Sequence, residues 1–419
     1  MMLPTQYHFC TYFDSNYLTR GLVLYRSLAR HCQHPFILWV LCFDSVTFQT
    51  LDHLHLPGVN LISLDQFEAS DLELQKTKTE RSLVEYFWTC TPSLPLYVLN
   101  HNPEVDLITY LDADLCFYAD PMPIYSEMGE CSILIIEHRY PPELKYLESS
   151  AGVYNVGLLA FRRDDRGLAC LHWWRDRCLE WCFTRFEDGK FGDQKYLDDW
   201  TLRFDGVVVL QQKGAGLAPW NAIQYLIQWN EGRFTLDDFP LIFYHFHGFK
   251  NVARNVVQPT EHCYRLSPLL IEHLYFPYVY ALQEVERELR LSKSKGLLER
   301  NTGTPMLLPG LLEQRWLLIT SKKLGLALWK LGESQHNRLL DGPDAYRLGD
   351  LKSARRICFL AVLRNPFVLE DRPILSILAR TTLTPGQISF FQRLSGRGGR
   401  QLDKKTAYAT ENQYNNSKL

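Results

Sequence analysis

Long apolar runs, paired cysteine motifs and a secretory leader are all missing from this sequence of 419 residues. No stretch reaches the roughly 18 consecutive apolar residues of a membrane-spanning helix, and the first residues have neither a basic start nor an apolar leader block. The 11 cysteines are scattered, and no two have the Cys-x-x-Cys spacing of a zinc ribbon or a redox dithiol. These absences predict a cytoplasmic protein whose cysteines are mostly buried free thiols.

A surplus of charge is also missing, since the net charge is only −2, but the charge is unevenly distributed. Residues 287–419 contain 23 Lys and Arg against 11 Asp and Glu, whereas the rest of the chain contains 22 against 36. The composition, 46% hydrophobic and 13% aromatic, is sufficient for a large core. An acidic front and a basic tail therefore predict two bodies with different partners.

Short apolar runs alternate with segments of helical spacing along the front of the chain. Runs at 6–13, 35–43 and 59–64 read as strands, and the apolar spacing from Tyr17 onward reads as a helix. A further helix is predicted at 80–99, with interruptions at its two prolines. This alternation predicts an α/β fold with a doubly wound sheet, in which ligands bind outside the carboxyl ends of the strands.

Two aspartates, Asp112 and Asp114, follow the apolar run 107–111 with one small residue between them. Two carboxylates at this spacing can hold a divalent cation against a diphosphate, because magnesium and manganese take oxygen ligands from carboxylates and phosphates. The alternative is a surface turn with two solvated acids. Further along the chain, His245 and His247 follow the last predicted strand, and a neutral imidazole can join carboxylates around manganese. Either histidine can instead be an ordinary strand-end residue.

Taken together, these residues resemble the nucleotide-sugar glycosyltransferases of the GT-A fold, a Rossmann-like mixed sheet flanked by helices, and most of all the retaining glycosyltransferase family eight. The resemblance covers roughly residues 6–285, and each of its motifs is weak alone, but they occur in the family's order. The motifs are Asp14-Ser15-Asn16-Tyr17, Leu111-Asp112-Ala113-Asp114, Asn155-Val156-Gly157 followed by Gly192-Asp193-Gln194, and His245-Phe246-His247-Gly248.

The resemblance implies a role for each motif. Asp112, Asp114 and His245 would be the metal ligands, with His247 as the rival to His245. Asp193, Gln194 and Asn155 would be the catalytic residues around the sugar and the acceptor, although Asp193 can instead cap the helix predicted from Lys195.

The nucleotide-binding residues would include Asp14, Asn16 and Tyr17, which can bind a uracil, although Asp14 can instead cap the following helix. Gly248 and Lys250 would lie near the diphosphate, but the family usually continues Lys-Pro-Trp, whereas this chain has Lys250-Asn251-Val252. That departure weakens the assignment of the lysine.

Arg81, Glu85 and Trp220 have two interpretations each. Arg81 and Glu85, one helical turn apart, can reach the donor phosphates and sugar, or form a helix-surface ion pair with each other. Trp220, in a loop rich in turn residues, can stack on an acceptor sugar or be an ordinary core tryptophan.

The implied protein is a hexosyltransferase that depends on Mn2+ or Mg2+, uses a UDP-sugar as donor and has a glycan or glycolipid acceptor in surface polysaccharide or lipopolysaccharide synthesis. Its predicted domains are a GT-A catalytic domain at 1–291, a linker at 292–305, a basic helical C-terminal extension at 306–395 and a disordered tail at 396–419. The basic helices would touch the inner face of the membrane as a peripheral contact, or simply pack on the catalytic domain. Nucleic acid is not a predicted partner.

Two rival functions stay open. A haloacid-dehalogenase-type phosphatase also places Asp-x-Asp after an apolar strand, although usually after the first strand. The other rival is a non-catalytic carbohydrate- or partner-binding protein that keeps the GT-A fold.

Overall fold

The computed structural model describes residues 5–253, 256–261, 264–293 and 318–319. The strands are β1 Tyr7–Phe13, β2 Phe36–Cys42, β3 Val59–Ser63, β4 Leu107–Leu111, β5 Leu115–Phe117, β6 Ile133–Glu137, β7 Tyr154–Arg162, β8 Val207–Val209, β9 Ala215–Leu217, β10 Ile227–Asn230, β11 Arg233–Leu236, β12 Phe239–Pro240, β13 Phe243–His245, β14 Lys250–Ala253, β15 Val256–Gln258 and β16 Leu318–Ile319. The helices are α1 Leu18–His31, α2 Ser45–Leu54, α3 Leu64–Ser70, α4 Leu72–Thr77, α5 Leu83–His101, α6 Met122–Met128, α7 Glu148–Ala151, α8 Asp165–Glu180, α9 Trp200–Arg203, α10 Pro268–Leu270 and α11 Phe276–Lys293, with short 3-10 turns at Pro142–Leu147, Lys195–Asp199 and Ala222–Gln224 and a π-helical turn at Ile271–Tyr275.

The main sheet has seven strands in the order β3-β2-β1-β4-β7-β6-β8. Strands β3, β2, β1 and β4 run parallel, β7 runs antiparallel to both β4 and β6, and β8 is parallel to β6. Parallel strands buried on both faces need continuous apolar runs, and β4, Leu-Ile-Thr-Tyr-Leu, is buried throughout. The predicted α/β class, a mixed sheet flanked by helices, is confirmed.

The reversal of strand direction between β4 and β7 positions the candidate site. Leu111 at the end of β4 pairs with Leu158 in the middle of β7. The backbone N–H of Asp112 then donates to the carbonyl of Gly157 at 3.0 Å. The segment after β4 therefore lies directly beside Asn155 and Gly157.

A smaller sheet, β5-β13-β9, carries the late histidine to the same place. Strand β13 pairs antiparallel with β5, so that His245 faces Leu115 across the ladder. One step further, the N–H of Phe246 donates to the carbonyl of Asp114 at 3.0 Å. Two segments separated by about 130 positions are thus held together by backbone hydrogen bonds.

Helix α5 continues through Pro92 and Pro95, so the predicted interruption is wrong. A proline inside a helix removes one backbone hydrogen bond and costs about 3 kcal/mol. Both prolines are buried, and α5 packs along α8. This packing offsets the lost hydrogen bonds, because tertiary contacts provide most helix stability in proteins.

The chain divides into two compact units, Met1–Lys250 with Gln258–Thr302, and Asn251–Val257 with Gly303–Leu419. In the second unit the described strands belong to the sheet β14-β15-β16. The predicted linker, helical extension and tail lie outside the described residues, apart from residues 292–293 and β16, and stay predictions. Among the described helices, none is long and apolar enough to cross a bilayer.

Candidate functional site

Two carboxylates and one imidazole meet where β4, β5 and β13 come together. His245 Nε2 lies 3.1 Å from Asp114 Oδ1 and 3.6 Å from Asp112 Oδ2. One ligand atom from each of the three side chains lies within 4.8 Å of the others. Asp112 and Asp114 are partly buried and His245 is buried. Carboxylate oxygens with an imidazole nitrogen are a donor set that manganese accepts readily, so the three residues fit a divalent cation.

The three groups perturb one another strongly. Burial disfavours the charged form of His245, but the two carboxylates outweigh burial and raise its pKa. Burial would also raise the pKa of Asp114, yet His245 holds the pKa of that carboxyl at about 2. The pKa of Asp112 is raised, mainly by burial, because its contact with His245 is longer. In the absence of a metal, the imidazolium therefore pairs chiefly with Asp114.

A tyrosine that the sequence predictions missed orients the first of these carboxylates. The hydroxyl of Tyr110 donates to Asp112 Oδ1 at 2.8 Å, and Tyr110 is itself buried. The spacing of Tyr110 and Asp112 could have indicated this contact, because residues two apart on a strand share one face of the sheet. Groups that bond a metal ligand from behind fix its orientation and raise metal affinity.

His245, rather than His247, joins the two carboxylates. In the described part of the chain, no ring nitrogen of His247 forms an ion pair with either aspartate. Instead the ring of His247 lies edge-on to Trp220 at 5.3 Å between centroids. Trp220 is itself buried and packs edge-on against His245 at 5.2 Å, as in the core-tryptophan interpretation.

Gly157 leaves room for the imidazole. A Cβ at this position would lie 2.8 Å from His245 Nδ1 and 2.6 Å from Asn155 Oδ1, well inside ordinary contact distance. The backbone of β7 therefore approaches the histidine as closely as a glycine allows.

Two amide side chains, Asn155 and Gln194, are brought together beside Gly157. Asn155 Nδ2 donates to Gln194 Oε1 at 3.1 Å, and Asn155 Oδ1 accepts the N–H of Gly157 at 2.9 Å. Gln194 Nε2 donates to the carbonyl of Ala151 at 2.7 Å. The same Asn155 nitrogen lies 3.5 Å from Nε2 of His138, whose pKa burial lowers to about 3. These contacts fix both amides, and burial keeps His138 neutral.

Asp193, next to Gln194, is a buried carboxyl within electrostatic range of the cluster. Burial raises the pKa of Asp193 to about 7, the charge of Asp112 adds to this shift, and a hydrogen bond with Thr91 opposes it. The 3-10 turn that follows begins after Gln194 and has no side-chain cap, so Asp193 does not cap it. The capping alternative for Asp193 is thereby excluded.

The loop after β1 is organised by Asp14. Its Oδ1 accepts the backbone N–H groups of Asn16 at 3.0 Å and Tyr17 at 3.2 Å, and its Oδ2 accepts the side-chain amide of Asn16 at 2.7 Å. Asp14 is buried, whereas Tyr17 is 41% exposed. Asp14 therefore shapes this loop and holds the start of α1, while the aromatic ring of Tyr17 stays available to a ligand.

Gly248 and Lys250 follow His245 and His247 in the sequence. Gly248 has a φ of +71°, and a Cβ there would lie 2.8 Å from Glu261 Cγ, so the chain needs glycine at this turn. Lys250 is exposed and lies close enough to His247 to lower its pKa together with burial and His245. Both residues are thus near the cluster without being part of it.

Arg81 and Glu85 do not form the ion pair that was one of the alternatives, as far as the described residues show. Glu85 accepts the backbone N–H of Thr184 at 2.9 Å and of Ser82 at 2.8 Å. Arg81 Nη2 donates to the carbonyl of Leu179 at 3.2 Å. Glu85 thus ties α5 to the segment after α8, and Arg81 ties the residues just before α5 to the last turn of α8. Neither side chain contacts the Asp112, Asp114 and His245 cluster.

Comparison with known proteins gives two relatives from Bacillus subtilis (strain 168), each described as an uncharacterized protein. YfnF is 36% identical over 274 residues, which are 64% of this chain and 89% of YfnF. YfnD is 30% identical over 280 residues, which are 66% of this chain and 89% of YfnD. No family model matches the chain.

Solved structures of glycosyltransferases are similar to the chain at low identity. The apo form of GlyE from Streptococcus pneumoniae TIGR4 is 15% identical with a TM-score of 0.40, covering 73% of this chain and 67% of GlyE. The galactosyltransferase LgtC, solved with donor and acceptor sugar analogs, is 16% identical with a TM-score of 0.37, covering 57% of this chain and 86% of LgtC. Likeness at this level fixes no activity, so the function follows from the site.

Proposed function

The chain belongs to the family of the Bacillus subtilis proteins YfnF and YfnD, and we propose that it is a metal-dependent glycosyltransferase of the GT-A fold. It transfers a hexose from a nucleotide-diphosphate sugar to a glycan or glycolipid acceptor, with retention at the anomeric carbon. One observation carries the proposal, namely that Asp112, Asp114 and His245 converge at the carboxyl end of the sheet beside Asn155 and Gln194. This edge of a doubly wound sheet is where nucleotides bind.

The leaving group of such a transfer is a diphosphate, whose charge grows as the glycosidic bond breaks. A divalent cation held by Asp112, Asp114 and His245 would supply the Lewis acid that neutralises this charge. The imidazole ligand favours Mn2+ over Mg2+, because magnesium strongly prefers oxygen. Tyr110 keeps Asp112 oriented through its 2.8 Å hydrogen bond.

The amides of Asn155 and Gln194 and the carboxyl of Asp193 would bind the hydroxyls of the transferred sugar and of the acceptor. Asn155 and Gln194 are locked by their mutual hydrogen bond, so they orient a sugar at little entropic cost. In a front-face retaining transfer the leaving phosphate takes the proton of the acceptor hydroxyl. The chain's residues then have to position the two reactants and exclude water.

The finer features of the proposal rest on the sequence resemblance and on the loop after β1. A UDP-sugar suits Asp14, Asn16 and Tyr17, because the exposed ring of Tyr17 offers a stacking face for a pyrimidine. The acceptor would be a growing surface polysaccharide or lipopolysaccharide. The protein would act in the cytoplasm, with its basic tail as a peripheral contact to the membrane.

Calorimetric titration of UDP into the full chain, with and without Mn2+, tests the proposal. We expect binding that requires Mn2+ in the wild type and is lost in the Asp112→Asn, Asp114→Asn double variant. The matched control is Asp52→Asn, Asp65→Asn, which removes the same charge from exposed positions. Absence of binding by UDP, GDP and CDP would refute a nucleotide-sugar site.

The phosphatase rival predicts a different result from the same protein. An Asp-x-Asp phosphatase would hydrolyse p-nitrophenyl phosphate and lose this activity with Asp112→Asn. We expect no such hydrolysis, and instead slow release of UDP from a UDP-hexose in the presence of Mn2+. A non-catalytic sugar-binding protein would bind the UDP-hexose and leave it intact for hours.

A further inference from the structure

Arg20 is a buried cation without an anionic partner among the described residues. The residue lies in the first turn of α1 and is only 7% exposed. Its Nη2 donates to the carbonyl of Phe249 at 2.9 Å, and its Nε has no hydrogen-bond partner. No ion pair within 4.0 Å links it to a carboxylate in the described part of the chain. The positive charge is therefore buried and uncompensated by a direct contact.

Such a charge is costly unless something balances it. Moving a guanidinium from water into a protein interior carries a large desolvation penalty, and buried charges are normally paired or bound to a ligand. One backbone carbonyl satisfies a single N–H of the five that arginine offers. The remaining donors and the net charge point to an anion that is brought by a ligand.

The surroundings of Arg20 indicate where this anion would be. The guanidinium carbon lies 4.1 Å from the centroid of the Tyr17 ring and 5.5 Å from that of Phe249. Tyr17 belongs to the loop assigned to the base, and Phe249 lies between Gly248 and Lys250. Phe249, which accepts the hydrogen bond of Arg20, follows His245 of the carboxylate cluster by only four positions in the chain. The part of a nucleotide sugar between its base and its metal is the diphosphate.

We propose that Arg20 is a further diphosphate-binding residue of this protein, an assignment that rests on the function proposed above. Its guanidinium would meet phosphate oxygens through donors that the protein leaves free, a contact for which arginine is well suited. In the same position, the hydrogen bond to Phe249 fixes the segment that carries Gly248 and Lys250. A cation on α1 would then act on the phosphates together with Lys250.

Nucleotide binding by substituted proteins tests this proposal. The informative variant is Arg20→Met, which removes the charge at similar length, and Arg20→Lys keeps the charge but not the fork of donors. Arg26→Met is the matched control, since Arg26 lies on the same helix and pairs with the partly exposed Glu288. Calorimetry in Mn2+ compares UDP, inorganic pyrophosphate and uridine, with unfolding midpoints measured for every variant.

We expect Arg20→Met to weaken UDP and pyrophosphate about tenfold or more, as for loss of a charged hydrogen bond, and uridine by less than about twofold. The affinities of Arg20→Lys for UDP and pyrophosphate should lie between those of the wild type and Arg20→Met, and Arg26→Met should bind both like the wild type. Should Arg20→Met not fold, Arg20→Lys carries the test through a selective loss of the two diphosphates.

Unchanged UDP affinity in Arg20→Met would overturn the proposal, and so would an equal loss for uridine and UDP, which indicates that Arg20 only braces the base loop. Failure of the proposed function looks different, because the wild type itself would then bind neither a nucleoside diphosphate nor pyrophosphate. Wild-type binding of pyrophosphate without UDP would reject only the uridine base. The Arg20 comparison would then be made with pyrophosphate.

Discussion

Replacing Gly157 by alanine should disturb the metal cluster from behind without replacing any of its ligands. Gly157 lies in β7, and the imidazole of His245 is packed against its Cα. The added methyl carbon would lie 2.6 Å from Asn155 Oδ1, 2.8 Å from His245 Nδ1 and 2.9 Å from His245 Cε1. Ordinary contacts of a Cβ begin near 3.4 Å, so three atoms overlap by about half an ångström or more.

Neither neighbour can move away freely. The ring of His245 has Trp220 against it at 5.2 Å between centroids and the Asp114 carboxylate 3.1 Å from its far nitrogen. Asn155 is held by Gln194. Overpacking of this kind costs about 1–3 kcal/mol of unfolding free energy. Displacement of the imidazole should lower metal affinity about 10- to 100-fold, as loss of support around a metal ligand does.

The assay is a titration of Mn2+ into the Gly157→Ala protein, with urea unfolding measured in parallel. Gly189→Ala is the control, because its Cβ would meet no atom within 4 Å although its φ is +72°. The control carries the backbone strain of a left-handed alanine, about 1–2 kcal/mol, but leaves His245 in place. It should therefore lose stability and keep its affinity for Mn2+.

Wild-type affinity for Mn2+ in a folded Gly157→Ala protein would refute the reasoning, since the ring would then not need its present position. An equal loss of affinity in Gly189→Ala would also refute it, because general destabilisation would explain both results.

Two further predictions concern the second layer of the site. Tyr110→Phe should lower Mn2+ affinity about tenfold, because Asp112 loses the hydrogen bond that orients it, whereas Tyr125→Phe should not; equal affinities in the two variants by titration would contradict this. Burial raises the pKa of Asp193 from 3.8 to about 7, so the folded protein binds an extra proton between these values and its unfolding free energy falls as pH rises through that window, by on the order of 4 kcal/mol. Asp193→Asn should lack this fall, so that its unfolding free energy relative to the wild type, measured by urea unfolding in EDTA, should be higher at pH 8 than at pH 4. The control Asp199→Asn, at a surface position, should show the same pH dependence as the wild type. A pH dependence of Asp193→Asn parallel to that of the wild type would refute the assignment.

The central strands β1 and β4 of the main sheet could be predicted because they are largely buried on both faces. The run 6–13 contains β1, and the run before Asp112 contains β4, so the carboxyl ends that carry Asp14 and Asp112 were located correctly. A continuous apolar stretch ended by an aspartate leaves few alternatives at that length. The positions of these two aspartates therefore followed from local sequence.

The hairpin of β10 and β11 was not predicted, although a signal was present. Its two turn residues, Glu231 and Gly232, have φ values of +50° and +80°, as a two-residue hairpin turn requires. Strand β10 alternates between partly buried and exposed residues, β11 alternates between less buried and buried residues, and each is only four residues long. Periodicity is weak over so few positions, and the turn carried a signal that periodicity did not.

The contacts of His245 could not be predicted from local sequence at all. Its partners Asp112 and Asp114 lie about 130 positions earlier, and only the pairing of β13 with β5 brings them together. No periodicity reports which distant strand a segment will join, so the ordered motifs of a family were needed to link them. The same holds for Asn155 and Gln194, which are 39 positions apart.

The burial of Arg20 could not be predicted from the sequence for a different reason. The apolar positions of α1 describe one inward face, which makes an arginine outside that face look solvent-exposed. In the structure α1 is buried on more than one side, with Arg20, Gly21, Leu22, Val23 and Leu24 all buried in succession. A segment more than 200 positions later covers the side that carries Arg20, through its hydrogen bond to Phe249. Arg20 packs against the rings of Tyr17 and Phe249, but among the described residues no carboxylate lies within 4.0 Å to balance its charge, and for that reason we expect a ligand to balance it.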